Sequence, residues 1–230
     1  MWLALPCAAA DGNAVNGMGL ETQASGVFLN AAGEVLTARH AVTGCEKLFA
    51  LKDGRVVQAR VRAVSAEHDL AVISTGLIPY LSATLVQTPP STMNSIGVFA
   101  EAYGPLQKMP DRARILSNAI TVPSNDGMLL LSGAKPGASG SAVLNGSGLL
   151  LGMVVERISA GTGSAGAGKM PGAVAHAGSG TQVRAVTAAQ IADFLRASDI
   201  VFSASDAAQL AATQSAAARA MTLSAGIICG

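Results

Sequence analysis

The feature that most constrains the fold of this chain is a long series of short apolar runs, separated by turn signals, that fills residues 25–186. Asp53-Gly54 and Asn145-Gly146 are strong hairpin signals because these residue pairs adopt the left-handed backbone that tight β-turns require. No long helical pattern interrupts the series, which argues against a parallel sheet with crossover helices and predicts all-β barrels or a sandwich. The predicted strands are 26–30, 34–38, 47–51, 56–63, 70–74, 96–100, 115–122, 128–132, 141–144, 149–155 and 182–186.

Two β-rich blocks are separated by a turn-rich segment that contains Pro89 and Pro90. A tract of Gly, Ala and Ser at 159–180 predicts a long flexible surface loop near the end of the second block. The predicted organisation is an N-terminal arm at 1–24, a first β-domain at 25–77, an interdomain linker at 78–92, a second β-domain at 93–186 and C-terminal helices with a tail at 187–230.

Helices are expected only after the second block. Thr187 and Gln190 form a capping-box pattern directly ahead of apolar residues at helical spacing. The Ala-rich segment 206–220 predicts a second helix. A terminal strand at 222–229 would then bring Cys229 back to the body of the protein.

Composition excludes several classes of function. Half of the residues are hydrophobic but only 3% are aromatic and 13% charged, so the core must consist of Ala, Val, Leu and Ile, and the chain is not intrinsically disordered. Its 15 basic and 14 acidic residues are not massed in one segment, so no nucleic-acid partner is expected. No apolar run approaches the roughly 18 residues that a membrane span needs.

Three cysteines, Cys7, Cys45 and Cys229, have no metal-ligand spacing with one another or with the histidines. They can form one disulfide and leave one thiol, or stay reduced. If Cys229 returns to the body of the protein, Cys7 and Cys45 are its only disulfide partners. Residues 1–10 fit either the remnant of a secretory signal or a plain N-terminal arm. A secreted or periplasmic location is favoured, with a cytoplasmic one left open.

Three segments carry the residue types of a nucleophilic serine site. Residues 137–142 read Gly-Ala-Ser-Gly-Ser-Ala, a turn that presents Ser139 at its tip and directs backbone N–H groups inward. His40 ends a β-rich run at a point where the chain must turn. Asp69 opens an apolar strand, where a partly buried carboxylate needs a donor such as an imidazole N–H.

The order of these residues and their local contexts resemble the trypsin/chymotrypsin-like clan of serine peptidases, most of all its bacterial HtrA-like and simple trypsin-like branches. The family motifs T-A-x-H, D-L-A and G-x-S-G stand here as Thr-Ala-Arg-His at 37–40, Asp-Leu-Ala at 69–71 and Gly-Ala-Ser-Gly at 137–140. The resemblance covers residues 25–198.

The resemblance implies a fold of two six-stranded antiparallel chymotrypsin-like β-barrels with C-terminal helices. It also implies a serine endopeptidase that acts on a polypeptide substrate and uses no cofactor and no metal. About thirty residues follow the capped helix, too few for a PDZ domain, which needs on the order of fifty or more. An oligomeric state is not indicated.

Within the resemblance, each candidate residue has a role. His40 is the general base and then the general acid, while Asp69 fixes the tautomer of the imidazole. Ser139 attacks the scissile carbonyl. The backbone N–H groups of Gly137 and Ser139 form the oxyanion hole.

The substrate-binding residues follow from the same resemblance. The base of the pocket for the residue before the cut is expected at Gly133 and Ala134, where no carboxylate stands. The strand that pairs with the substrate backbone is expected to present Val155, Glu156 and Arg157. These residues predict a preference for small or medium apolar side chains, unless Glu156 reaches the pocket from the side.

Other assignments of nearby residues are less well supported. Ser141 is a rival nucleophile, but it lacks a glycine two positions upstream. His68 is expected on the opposite face of the strand from Asp69, and therefore at the surface. Residues 163–169 match the GxxxxGK pattern of phosphate-binding loops, but Met170 replaces the required Ser or Thr, so no nucleotide binding is expected.

Two other functions compete with the peptidase. A lipase or esterase of the α/β-hydrolase type would need Ser before Asp before His, which is the reverse of the order found. The stronger alternative is a catalytically impaired peptide-binding module of the same fold, because His40 and Ser139 are expected on different barrels.

Overall fold

The computed structural model describes residues 15–16, 22–88, 97–109, 119–124, 127–131, 137–158, 182–211 and 213–230. The strands are β1 Val15–Asn16, β2 Ala24–Phe28, β3 Glu34–Thr37, β4 Leu48–Lys52, β5 Arg55–Gln58, β6 Arg60–Val64, β7 Ala71–Ser74, β8 Thr84–Leu85, β9 Gly97–Phe99, β10 Ala119–Ser124, β11 Gly127–Leu131, β12 Ala142–Asn145, β13 Leu150–Ile158, β14 Gln182–Thr187, β15 Ser203–Ala204 and β16 Ser224–Cys229. The helices are α1 Tyr103–Gln107, α2 Ala188–Ala197 and α3 Ala216–Leu223, with a 3₁₀ turn at Arg39–Ala41.

The first sheet has the strand order β1-β5-β4-β16-β2-β3-β7-β6. β5 and β6 are two halves of one segment that is interrupted at Ala59, so the predicted strand 56–63 is bent in the middle. One half pairs with β4 and the other with β7. This bent segment curls the sheet into a barrel, in which it counts as one strand beside β2, β3, β4, β7 and β16.

The sixth strand of this barrel comes from the other end of the chain. β16 lies between β2 and β4 and pairs antiparallel with both. A disulfide between Cys45 and Cys229 links its end to the segment that follows the 3₁₀ turn. The predicted return of Cys229 to the body of the protein is therefore confirmed, and Cys45 is its partner.

The second sheet forms the other barrel. Its strands follow the order β12-β9-β10-β11-β14-β13, and a further antiparallel pairing between β12 and β13 closes the ring. β8 and β15 extend this sheet through parallel pairing beside β13. The expected all-β fold of two six-stranded antiparallel barrels with C-terminal helices is confirmed.

Local turn chemistry explains the hairpins. Asp53 and Gly54 both have positive φ, at 49° and 78°, as the tight turn between β4 and β5 requires. The Asn145 side chain accepts hydrogen bonds from the N–H groups of Ser147 and Leu149, which fixes the turn between β12 and β13.

The described residues form four apolar clusters, the smallest of which joins Leu51 and Val56 to Tyr103. One lies inside each barrel, and the largest lies between the barrels and includes residues of α2 and α3. As the composition predicts, the buried side chains are mostly aliphatic. Representative members are Phe28, Val35 and Ile73 in the first barrel, Leu130, Val143 and Val183 in the second, and Leu36, Leu150, Ile191 and Leu223 between them.

The capping box ahead of α2 is confirmed. The Thr187 side chain accepts from the Gln190 N–H, and the Gln190 side chain accepts from the Thr187 N–H. Both bonds satisfy N–H groups that a helix start leaves without a partner.

The second predicted helix is shorter than expected. α3 begins at Ala216 because the Ser215 hydroxyl accepts the hydrogen bond from Ala218 and so caps the helix. Asp206, at the expected start, instead accepts hydrogen bonds from the backbone of Gln87 and Thr88. These bonds attach the tail to the segment that precedes the second barrel.

One further expectation is wrong. A helix, α1, precedes the second barrel's later strands, and the sequence signal for it was weak because Gly104 and Pro105 lie inside it. The segment expected as an interdomain linker contains β8, which pairs with Leu150 of β13.

Several expectations fall outside the described residues. These are the flexible loop at 159–180, the glycine-rich tract 163–169, the pocket residues Gly133 and Ala134, and Cys7. No helix in the described part of the chain has the length and apolar character needed to span a membrane.

Candidate active site

His40 and Asp69 form a close pair at the surface of the first barrel. Asp69 Oδ2 lies 2.5 Å from His40 Nδ1, and Asp69 Oδ1 accepts a hydrogen bond of 2.9 Å from the His40 backbone N–H. The His40 side chain is 53% exposed and that of Asp69 28%. The carboxylate therefore orients both the ring and the backbone of His40 while the ring stays open to solvent.

The strand pairing explains this contact. β3 ends at Thr37 and pairs there with Ala71, the first residue of β7. Because the strands are antiparallel, the residues that follow β3 lie beside those that precede β7. His40 lies in the 3₁₀ turn after β3, and Asp69 lies two residues before β7. The N–H of Arg39 also donates to the carbonyl oxygen of Asp69.

The turn that carries Ser139 depends on two glycines in the left-handed region. Gly137 and Gly140 both have φ of 86°. A Cβ on Gly140 would overlap the carbonyl oxygen of Ser25 and would lie 2.8 Å from the Thr37 hydroxyl. Only glycine fits this position, and its fit brings the Ser139 turn against the strand that leads to His40.

Ser139 and its rival differ in exposure. Ser139 is half-buried, whereas Ser141 is completely buried and its hydroxyl has no hydrogen-bond partner among the described residues. A completely buried hydroxyl cannot meet a substrate from solvent. The exposure of the two serines thus favours Ser139 as the nucleophile.

His68 was expected on a strand, facing away from Asp69. It lies instead in a bend before β7 and is half-buried, so the alternation of side chains along a strand does not determine which way it faces. Its backbone N–H donates to the Ser65 side chain, which stabilises the bend.

Among the three candidate catalytic residues, all of which are described, hydrogen bonds link only His40 and Asp69. In the described residues, no hydrogen bond links the His40 ring to the Ser139 hydroxyl. Such bonds are often long in ligand-free sites and tighten when substrate binds. The site therefore contains a formed His40 and Asp69 pair and a Ser139 turn packed against β2 and β3.

The described substrate-binding candidates lie on β13. Val155 is buried in the cluster between the barrels. Glu156 is exposed and forms an ion pair with Arg184, its neighbour across the pairing with β14. Arg157 follows on the same strand. The Glu156 carboxylate is thus already engaged by a cation of this chain.

Ser25 on β2 is a residue that the sequence analysis missed. Its side chain donates to the carbonyl oxygen of Gly137, and its backbone N–H donates to the carbonyl oxygen of Ser139. It also accepts a hydrogen bond from the Tyr103 N–H. No sequence signal connects residue 25 with residue 137, because the contact depends on how the two barrels meet.

The pKa values of Tyr103 and Lys52 are shifted mainly by burial. Burial raises the pKa of the Tyr103 phenol to about 12. Burial also lowers the pKa of Lys52, which donates to the carbonyl oxygens of Met221 and Thr222 at the end of α3. Within the described residues, no group of three or more His, Cys, Asp or Glu side chains is arranged to bind a metal ion.

The comparisons with solved structures agree with this architecture. An HtrA-type protease, AlgW, solved with a decapeptide, is 20% identical to this chain with a TM-score of 0.57, over 77% of this chain and 51% of that one. A serine endoprotease from Yersinia pestis is 17% identical with a TM-score of 0.54, over 80% and 60% of the two chains. The chain thus spans between half and three fifths of these proteins, and at such identities the likeness concerns the fold.

A search of curated proteins finds no match. The family model of the trypsin-like peptidase domain matches residues 24–153, which is more than half of the chain and includes His40, Asp69 and Ser139. Together with the double barrel, this match shows that the chain belongs to the trypsin-like peptidase family.

Proposed function

We propose that this protein is a serine endopeptidase that hydrolyses peptide bonds through His40, Asp69 and Ser139. The observation that carries the proposal is the pair of hydrogen bonds that the Asp69 carboxylate accepts from the ring and the backbone of His40. A carboxylate in this position selects the imidazole tautomer that leaves Nε2 free to accept a proton.

The proposed mechanism has two halves. In the first, Ser139 Oγ bonds to the scissile carbonyl carbon and its proton passes to His40 Nε2. The negative charge on the carbonyl oxygen is stabilised by the N–H groups of Gly137 and Ser139, each worth about 3–4 kcal/mol in the transition state. His40 then protonates the leaving amine, the C–N bond breaks, and an acyl-enzyme forms. In the second half, His40 Nε2 takes a proton from water while the water oxygen bonds to the acyl carbon. The ester bond to Ser139 Oγ then breaks, His40 returns the proton to Oγ, and the acid is released.

The proposed substrate is a polypeptide. The HtrA-type protease that this chain resembles in fold was solved with a decapeptide, which supports a polypeptide as the class of ligand. We expect small or medium apolar residues before the cut, with Gly133 and Ala134 at the base of the pocket and Val155, Glu156 and Arg157 beside the substrate backbone.

The disulfide between Cys45 and Cys229 supports an extracellular or periplasmic location. Structural disulfides persist in oxidising compartments and are rare in a reducing cytosol.

A second candidate function is a peptide-binding module with an impaired triad. It is favoured by one observation, the missing hydrogen bond between the His40 ring and the Ser139 hydroxyl in the described residues. Such a module would bind peptides without cleaving them.

Reaction with a fluorophosphonate separates the two functions, because only an activated serine becomes labelled. We expect the wild-type protein to be labelled and to hydrolyse peptides, and Ser139→Ala to lose both properties with its thermal unfolding unchanged. Ser141→Ala is the matched control and should keep both. No labelling of the wild type, together with retained peptide binding, would establish the second function instead.

A further inference from the structure

Ser25 is a buried serine, 1% exposed, that contacts the Ser139 turn at both ends. Its Oγ donates a hydrogen bond of 2.9 Å to the carbonyl oxygen of Gly137. Its backbone N–H donates one of 2.8 Å to the carbonyl oxygen of Ser139. One residue of the first barrel therefore contacts both residues proposed to supply the oxyanion hole.

The Ser25 hydroxyl has a fixed direction. It accepts a hydrogen bond of 2.8 Å from the N–H of Tyr103, the first residue of α1, which has no acceptor within its own helix. Because the oxygen accepts from this N–H, its hydrogen is left to point at Gly137. The Ser25 carbonyl accepts from the Thr37 hydroxyl at 2.7 Å, which ties the same residue to the strand that leads to His40.

The hydrogen bond from Ser25 restricts Gly137, a residue whose backbone is otherwise unusually free. It has no side chain and a φ of 86°, so the intrinsic backbone preferences of the turn do little to keep its peptide groups in place. An oxyanion donor that moves by a fraction of an ångström loses much of its effect, since catalysis depends on donors aimed at the developing charge. The bond from Ser25 limits this movement.

We propose that Ser25 is a positioning residue that sets the geometry of the oxyanion hole through its hydrogen bonds to Gly137 and Ser139. The inference rests on the proposed peptidase function and adds a residue to its machinery. Ser25 does not touch the substrate. It acts through the turn that does.

A positioning role predicts a particular kinetic change. Oxyanion donors stabilise the transition state more than the bound substrate, so their misplacement lowers kcat and leaves KM nearly unchanged. Removal of one donor costs about 10²–10³ in rate, and a misplaced donor should cost less. We therefore expect kcat of Ser25→Ala to fall about tenfold to a hundredfold, with KM altered less than about twofold.

A transition-state analogue gives an independent readout. A peptide aldehyde adds to Ser139 and places a charged or hydrogen-bonded oxygen in the oxyanion hole. Its affinity should fall by the same factor as kcat in Ser25→Ala. An uncleavable peptide of the same sequence, which makes no such contact, should bind Ser25→Ala and wild type equally.

Two further substitutions at position 25 keep the experiment decisive if Ser25→Ala does not fold. Ser25→Cys keeps the volume of the side chain but replaces the hydroxyl by a weak donor, so its kcat should fall as in Ser25→Ala. Ser25→Thr keeps the hydroxyl and should restore kcat towards the wild-type value. If Ser25→Ala is unfolded at the assay temperature, the kcat of Ser25→Cys is compared with that of Ser25→Thr to decide whether the hydroxyl at position 25 is needed.

Ser224→Ala is the matched control. Ser224 is also a buried serine of the first barrel, 2% exposed, and its hydroxyl donates to the carbonyl oxygen of Ala220, away from the Ser139 turn. Both variants lose one buried hydroxyl, but only Ser25→Ala should lose kcat and aldehyde affinity.

The outcomes are distinct. An active wild-type enzyme whose kcat is unchanged in Ser25→Ala, or lowered equally in Ser224→Ala, overturns the role of Ser25 and leaves the peptidase function intact. A wild-type protein that neither cleaves peptides nor reacts with a fluorophosphonate overturns the peptidase function, and the role of Ser25 with it.

Discussion

The Asp69 carboxylate orients His40 just after the end of β3. Asp69 accepts hydrogen bonds from both the ring and the backbone N–H of this residue, so the imidazole cannot turn without losing one of them. The His40 side chain nonetheless remains 53% exposed. Asp69 therefore orients the ring without closing it to solvent.

Asp69→Asn tests this arrangement at the residue scale. The amide would donate to Nδ1 and stabilise the wrong tautomer of the imidazole, while its shape leaves the packing intact. We expect kcat to fall by about 10⁴-fold with little change in the melting temperature.

Asp193→Asn is the control for this experiment. Its carboxylate is exposed and pairs with Arg196 on the surface of α2, so the substitution should leave kcat unchanged. An equal loss of activity in both variants, or a fully active Asp69→Asn, would exclude Asp69 from the mechanism.

Among the secondary-structure elements, β16 is the strand that completes the first barrel. It supplies the strand between β2 and β4, and its residue Gly226 lies opposite Ser25. A Cβ on Gly226 would approach the Tyr103 ring within 2.8 Å, so glycine permits β16 to pack closely against α1. The strand thus supports the same residue that contacts the Ser139 turn.

The disulfide that ends β16 should contribute strongly to stability. It joins Cys45 and Cys229 across a sequence separation of 184 residues, and a cross-link over so long a loop restricts the unfolded chain. We expect the double variant Cys45→Ser with Cys229→Ser to lose about 2–5 kcal/mol in the free energy of unfolding, measured by urea denaturation.

Cys7→Ser is the control for the disulfide. Because Cys45 and Cys229 are bonded to each other, loss of the third thiol should not change the urea midpoint. A double variant as stable as the wild type would show that β16 is retained by its backbone hydrogen bonds and apolar packing alone.

Elements encoded by adjacent residues were predictable, and those created by distant contacts were not. The Asp53-Gly54 turn and the Thr187 cap follow from local backbone chemistry and appear where the sequence indicates. The position of β16 inside the first barrel depends on a partner more than 150 residues away, and its sequence shows only that it is a strand. The role of Ser25 was hidden for the same reason, whereas His40, Asp69 and Ser139 carry recognisable local motifs.

At the scale of the whole molecule, the two barrels meet across a shared apolar cluster that contains Leu36 of one barrel and Leu150 of the other. β13 contributes to this cluster through Val155 and carries Glu156 next to it on the exposed side. The expected substrate strand therefore has an apolar inner face, and its acidic residue is paired with Arg184.

This arrangement predicts cleavage after small or medium apolar residues. A panel of peptides that differ only in the residue before the cut should give the highest kcat/KM for Ala, Val or Leu, because Glu156 is engaged by Arg184 and does not offer a free charge to a basic substrate. Strongest cleavage after Arg or Lys would contradict this expectation and would identify Glu156 as the specificity residue.

The position of β16 also sets the order in which the protein can be completed during synthesis. The other strands of the first barrel, and both residues of the His40 and Asp69 pair, have been synthesised once residue 74 is added. The strand between β2 and β4 follows only after the entire second barrel has been made. About 150 residues separate β7 from β16, so at about 5–20 residues per second the first barrel has a gap in its sheet for about 8–30 seconds. A nascent chain therefore exposes the open edges of β2 and β4 until residues 224–229 arrive, and the domain that begins first is completed last.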